Sequence, residues 1–269
     1  MITSNNNAKV KQVVQWQTKA KERRKDHVFL AEGVRMCEEA PVKNVREVYL
    51  TEELEQKIRQ NAQTGDAAFW DKLQQTGYET VSPEVFAKMA DTQTPQGILT
   101  VLEQPVYDLT QLLEQPDPLF LLLENLQDPG NLGTMIRTGE GAGITGVIMN
   151  NQTVDIFNPK TIRATMGSIF RVPFVYVPDL APVLEQMHVK GIHTYAAHLK
   201  GQEYYDSFSF REPTAFLIGN EGNGLSKEIS DQAGQYLKIP MEGRVESLNA
   251  SIAAALLMYE AHRQRSARL

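Results

Sequence analysis

Apolar residues follow two rhythms along the chain. Over residues 9–25, Val10, Val13, Val14 and Trp16 recur at helical spacing among lysines and arginines, which predicts one amphipathic helix. Residues 45–50 and 79–81 read as short strands, with helices between them at 53–61 and 67–76. Ser82-Pro83-Glu84 has the form of a helix start, a capping Ser followed by Pro in the first turn. Residues 98–102 predict one more strand. Pro105, Pro116 and Pro118 then flank a short polar stretch that reads as a linker. Beyond it, apolar runs at 119–124, 146–150, 174–178, 193–198, 215–218 and 236–239 alternate with helical or loop segments. That alternation predicts a mostly parallel sheet with helices on both faces. The Ala-rich stretch 248–262 carries Leu248, Ile252, Leu256 and Tyr259 on one face and predicts a helix capped by Ser247. The chain thus divides into a smaller α/β domain at 1–103, a linker at 104–117 and a larger α/β domain at 118–269.

Composition narrows the class. At 269 residues, 42% hydrophobic and 22% charged, the chain can bury a core. No apolar run approaches membrane-spanning length, and the N-terminus lacks the signal-peptide pattern. Cys37 is the only cysteine, which removes any internal disulfide or cysteine zinc site and fits a reducing cytoplasm. The histidines (His27, His188, His193, His198, His262) show no metal-ligand spacing. A net charge of −6 speaks against a nucleic-acid partner until its distribution is considered. Residues 1–25 hold seven of the 27 basic residues and one of the 33 acids. Lys19, Lys21, Arg23, Arg24 and Lys25 form the dense part of this arm. It could meet phosphates, or it could be a solvated helix face.

Three strand ends carry the candidate chemistry. After the run 119–123 comes Asn125-Leu126-Gln127-Asp128-Pro129-Gly130-Asn131, with Arg137 six residues beyond Asn131. After 215–218 comes Gly219-Asn220-Glu221-Gly222-Asn223-Gly224. After 236–238 comes Ile239-Pro240-Met241, then Ser247-Leu248-Asn249. Asn, Asp, Pro and Gly make sharp turns, and open α/β sheets place ligands at the carboxyl ends of their strands. No P-loop is present, and Gly139-Glu140-Gly141-Ala142-Gly143 has the wrong spacing for a dinucleotide loop.

Taken in order, N-x-G-x-x-x-R, G-N-E-G-x-G-L and I-P-M followed by S-L-N resemble the three motifs of the SpoU/TrmH family of RNA ribose 2′-O-methyltransferases, within the SPOUT class. Phe29-Leu30-Ala31-Glu32-Gly33, preceded by the basic arm, resembles the family's N-terminal substrate-binding domain. The resemblance implies a trefoil-knotted α/β domain, a homodimer, S-adenosylmethionine as cofactor and RNA as partner, with no metal. It implies that Arg137 grips the target phosphate and polarises the ribose 2′-hydroxyl, with the proton acceptor left open. Asn131 would position substrate or Arg137, and Glu221 would order Arg137, Asn131 or the substrate.

The resemblance further implies that Gly219, Ile239, Met241 and Leu248 meet the cofactor, mainly through backbone groups. A bulky residue at Gly219 or Leu248 is then expected to block it. Ser247 and Asn249 face the same pocket, or serve as helix cap and first-turn polar residue, or both. Lys160 and Arg163 are candidates for RNA phosphate, or a plain loop-to-helix start. Large-subunit (23S) ribosomal RNA is the expected substrate, with transfer RNA as the alternative. A non-catalytic RNA-binding protein of the same fold and a dinucleotide-dependent oxidoreductase are the rival readings. The first would lack Arg137, Glu221 or Asn249; the second would need a Gly-rich loop after the first strand.

Overall fold

The computed structural model describes residues 1–65, 67–245 and 247–266. The chain forms two compact units, Met1–Pro105 with Phe157–Phe170, and Val106–Ile156 with Arg171–Leu269.

The first unit begins with α1 (Ala8–Thr18) and α2 (Ala20–Asp26), where the apolar rhythm predicts one helix. Asn7 caps α1 by accepting from Lys9 N at 2.9 Å. Val10, Val13 and Trp16 are buried. The helix breaks at Lys19, which is extended (φ −124°). Arg23 stabilises the break by donating from Nη1 to the carbonyls of Trp16 (2.7 Å) and Gln17 (3.3 Å), which α1 leaves unbonded at its end. Then come β1 (Val28–Glu32), α3 (Val34–Glu39), β2 (Val45–Thr51), α4 (Glu52–Thr64), α5 (Ala68–Thr76), β3 (Glu79–Val81), α6 (Pro83–Met89) and β4 (Ile98–Glu103). Ser82 caps α6 as its sequence predicts. The sheet order is β1-β4-β2-β3, with only β2 and β3 parallel.

The second unit opens with α7 (Leu109–Leu113), β5 (Leu119–Leu123), α8 (Pro129–Ala142) and β6 (Gly146–Asn150). Here the chain leaves for α9 (Pro159–Thr165), which belongs to the first unit; Phe157 packs on Phe29 of β1 with ring centroids 5.0 Å apart. It returns for β7 (Phe174–Val177), α10 (Ala181–Val189), β8 (His193–Ala197), β9 (Thr214–Ile218), α11 (Lys227–Gln232), β10 (Gln235–Leu237) and α12 (Ala250–Ser266). All six strands are parallel, in the order β10-β8-β9-β5-β6-β7. This is the expected α/β architecture. β5, β6 and β9 are buried at every position, which explains their unbroken apolar sequence.

The chain leaving β5 moves to one side of the sheet, toward β6. The chain leaving β9 moves to the other side, toward β10. The carboxyl ends of β5 and β9 are therefore neighbours at a topological switch point, where such sheets open a crevice.

Candidate active site

The turn after β5 becomes a helix sooner than its Asn/Gly content suggests. Asp128 Oδ1 accepts from Asn131 N at 2.8 Å, and Pro129 takes the first position, where a missing N–H costs nothing. Asn131 and Arg137 thus both lie on α8, about 9 Å apart along its axis and on different faces. On α8, a methyl group at Gly139 would collide with the Ile144 side chain, and one at Gly141 would lie 2.9 Å from the Tyr259 hydroxyl.

The loop after β9 folds back on itself. Asn220 and Gly224 exchange backbone hydrogen bonds of 3.0 and 2.9 Å, and Gly224 is left-handed (φ 68°). A side chain at Gly219 would collide with the backbone of Gly224 and Leu225. The close approach that requires this glycine is therefore made by the chain's own loop. Substitution there would break the loop whatever binds nearby, so it cannot serve as a test of cofactor contact.

Glu221 at the tip reaches the turn after β5. Its Oε1 accepts from Asp128 N and from Asn131 Nδ2, both at 3.0 Å, and its Oε2 accepts from Gln127 N at 3.0 Å. Desolvation pushes this carboxyl up, but the bonds from Asn131, Asp128, Gln127 and its own N–H outweigh that and hold it below the ordinary value. Asn131 Oδ1 in turn accepts from Asn249 Nδ2 at 2.9 Å. Asn249 Oδ1 accepts from Ser251 N (2.9 Å) and Ser251 Oγ (2.6 Å), capping α12. One relay, Glu221 to Asn131 to Asn249, joins all three strand-end segments. The Arg137 side chain, exposed on α8, makes no hydrogen bond or ion pair among the described residues. Of the partners expected for Glu221, Arg137 is therefore corrected: Glu221 is bonded to Asn131 and two backbone amides instead.

The profile of the SpoU rRNA methylase family matches residues 118–259, and that of an MRM3-like substrate-binding domain matches residues 7–100. The chain belongs to the SpoU rRNA methylase family. It is 34% identical to the 23S rRNA (guanosine(2553)-2′-O)-methyltransferase RlmP of Bacillus subtilis, over 96% of this chain and 97% of that one. It is 32% identical to a 23S rRNA (uridine(2479)-2′-O)-methyltransferase of Streptomyces viridochromogenes, over 69% of this chain and 67% of the other. Among solved structures, an AdoMet-bound rRNA methyltransferase from Sinorhizobium meliloti superposes with a TM-score of 0.84 at 29% identity, covering 97% of each chain. The SpoU methyltransferase AviRb from S. viridochromogenes, in complex with AdoMet, superposes with a TM-score of 0.82 at 28% identity, covering 97% of this chain and 99% of that one.

The other predicted positions of this family member are distributed over both units. Ile239, Met241 and Leu248 are half-buried and Ser247 is exposed. Asn249, not Ser247, caps α12, because the helix starts at Ala250 and its first N–H groups lie beyond Ser247's reach. Among the described residues, 239–245, 247 and 248 use none of their backbone groups in hydrogen bonds.

Lys19, Lys21, Arg24, Lys25 and Lys160 are exposed. Arg23 is corrected as a phosphate ligand: it is 3% exposed, with its guanidinium on the α1 carbonyls. Arg163 forms an ion pair with Asp91 inside the first unit. Cys37 is buried, and desolvation pushes its thiol up to about 12. Among the described residues no group of three or more His, Cys, Asp or Glu could hold a metal, and no helix is long and apolar enough to cross a membrane. The sequence did not flag Asn150, whose amide bonds Asn125 across the sheet. Its only signal was an Asn directly ending an apolar run.

Proposed function

We propose that this protein methylates a ribose 2′-hydroxyl of large-subunit ribosomal RNA, with S-adenosylmethionine as methyl donor. The observation that carries this reading is the relay from Glu221 through Asn131 to Asn249 at the β5/β9 switch point, with Arg137 unpaired on the adjoining helix. The family relatives named above act on 23S rRNA, which favours that substrate over transfer RNA.

When bound, the cofactor supplies a methyl group already activated by its sulfonium. The chain's task is alignment and charge. Backbone amides and carbonyls of 239–245, 247 and 248, which make no hydrogen bond among the described residues, suit recognition of an adenine edge, and half-buried Ile239, Met241 and Leu248 can cover its faces. The planar fork of Arg137 is free to grip the target phosphate and stabilise the oxygen as its proton leaves. Glu221, held ionised by three donors, serves as a positioning carboxylate that keeps Asn131 in place. Holding the attacking oxygen in line can supply much of the rate. Ser247 offers a hydroxyl at the rim.

The first unit, with exposed Lys19, Lys21, Arg24, Lys25 and Lys160, is assigned to RNA binding. The reaction is placed in the cytoplasm. Family membership also suggests the knot and a homodimer. The outward face of α12, where Ile252 (50% exposed), Leu256 and Tyr259 (48%) lie in an apolar row, suits a second copy. Leu256→Glu should shift sedimentation toward the monomer.

The deciding experiment maps ribose methylation in ribosomal and transfer RNA from cells with and without the gene, then restores it with purified protein and S-adenosylmethionine. One 23S nucleotide should lose its methyl group. A lost methyl group in transfer RNA would replace the substrate, and no lost ribose methyl group would overturn the reading.

A further inference from the structure

The parallel register sets Ile218, Leu123 and Met149 side by side at the ends of β9, β5 and β6. Asn220 and Asn125, two residues beyond Ile218 and Leu123, and Asn150, one beyond Met149, lie at three neighbouring strand ends. Asn125 in the middle is left-handed (φ 56°), a conformation that Asn tolerates better than other non-glycine residues but does not favour over the right-handed and extended regions unless its surroundings select it.

Asn150 holds it with two bonds. Its Oδ1 accepts from the Asn125 backbone N–H at 3.0 Å, and its Nδ2 donates to Asn125 Oδ1 at 2.9 Å. Thr153 Oγ1 donates to the same Asn150 Oδ1 at 2.9 Å, and the Asn125 N–H, which can only donate, fixes that end of the amide as oxygen. Asn150 is 7% exposed, so losing these bonds would leave polar groups unpaired in the interior.

The consequence reaches the site. With Asn125 turned this way, its carbonyl accepts from Asn220 Nδ2 at 2.9 Å, across the switch point. Asn220 Oδ1 then accepts from Gly222 N (2.9 Å) and Asn223 N (3.1 Å), closing the loop that carries Glu221. The loop after β9 is thus fastened to the turn after β5 through Asn125 O, through the amides of Gln127, Asp128 and the Asn131 side chain, and at its far end through Ser226 N, which donates to Glu124 Oε2 at 2.7 Å.

We propose that Asn150 is a positioning residue for methyl transfer: its side-chain amide sets the left-handed turn at Asn125, and through that turn sets where Glu221 and Asn131 meet. Its effect on turnover rests on the methyltransferase reading above; its effect on the loop geometry does not.

Three variants test it: Asn150→Ala, Asn150→Asp, and Asn150→Ala combined with Asn125→Gly. Turnover and KM for RNA are measured, and the Glu221 carboxyl is titrated by carbon NMR. Asn150→Ala should lower kcat by about tenfold or more and leave KM for RNA within about threefold, the signature of a lost transition-state arrangement. Glu221 should then titrate nearer the ordinary carboxylate value, because the Gln127 and Asp128 amides drift from it. Asn150→Asp still accepts from the Asn125 N–H and, with the Asn125 amide turned over, keeps the second bond. It should stay within about threefold of the wild type.

The double variant should recover both turnover and the Glu221 titration, because glycine takes the left-handed turn unaided. An unchanged Glu221 titration in Asn150→Ala, or a double variant as impaired as the single one, would show that Asn150 only packs a strand end. Should Asn150→Ala fail to fold, Asn150→Ser takes its place with the same expected direction. If the wild type methylates no RNA, the functional reading falls while the Glu221 titration still decides the clasp.

Discussion

Arg137 and Glu221 stand in opposite situations. Arg137 has no partner among the described residues, so its guanidinium is available to a ligand. Arg137→Ala should lower turnover by orders of magnitude and leave S-adenosylmethionine affinity, measured calorimetrically, within a few-fold. Arg137→Lys should rescue little, since a point charge lacks the planar fork. Glu221 is held by three donors from the turn after β5. A glutamine there has one acceptor oxygen for those donors and turns an N–H₂ toward the rest, so Glu221→Gln should loosen the loop and reduce kcat. Because the folded carboxyl titrates below its ordinary value of 4.5, its bonds stabilise fully above that value. They are lost as the pH falls through the lowered folded value. The difference in unfolding temperature between wild type and Glu221→Gln should be constant at neutral pH and shrink in acid; a constant difference throughout would show that the carboxylate's charge contributes nothing.

At the scale of elements, α12 makes three attachments, with one face and both ends. Its inner face, with Ala254, Leu257, Met258 and Ala261, packs into the second unit, where Met258 lies against Gly139 of α8. Its far end is fastened by Arg265, which donates to the carbonyls of Phe210, Asp117, Pro118 and Glu212 at 2.7–3.2 Å. Its N-terminus enters the relay through Asn249. The cap and the relay are separable, because they use different atoms of one amide. Asn249→Asp keeps an oxygen for Ser251 N but loses the donor to Asn131. It should unfold near the wild-type temperature while turning over more slowly. Asn249→Ala loses both and should also cost about 1 kcal/mol of stability. Equal activity in Asn249→Asp and the wild type would remove Asn249 from the relay.

Across the whole molecule, the chain passes between its two units at 105–106, 156–157 and 170–171. The second and third passages put α9, with Lys160, into the unit that also bears the basic arm. If these exposed cations meet phosphates, reversing Lys19, Lys21, Arg24 and Lys25 should weaken RNA binding. It should also flatten the dependence of log affinity on log salt by about 0.7 for each phosphate no longer neutralised. Arg23→Ala should behave differently, lowering the unfolding temperature with little change in salt slope, because its guanidinium is spent on Trp16 and Gln17. An unchanged slope in the four-fold reversal would make the arm a solvated face.

Local chemistry alone determined a large part of this protein. The apolar runs of β5, β6 and β9, the Ser82 cap and the three strand-end motifs were legible because each depends on residues within a few positions of one another. The family followed from the order of those motifs. Partnerships depended on strand order, which no local period encodes. Glu221 lies 90 residues from Asn131, and Asn131 lies 118 from Asn249. They meet because β9 inserts beside β5, which also decided that Glu221 bonds Asn131 and leaves Arg137 alone. The same insertion brought Asn220 and Asn150 to either side of Asn125. Charge pattern showed a basic arm but not that Arg23 turns inward, since a helix with cations all round has no marked inner face. Which side of α12 is buried was decided by the tertiary packing, because that helix is apolar on opposite sides and one of them had to remain at the surface.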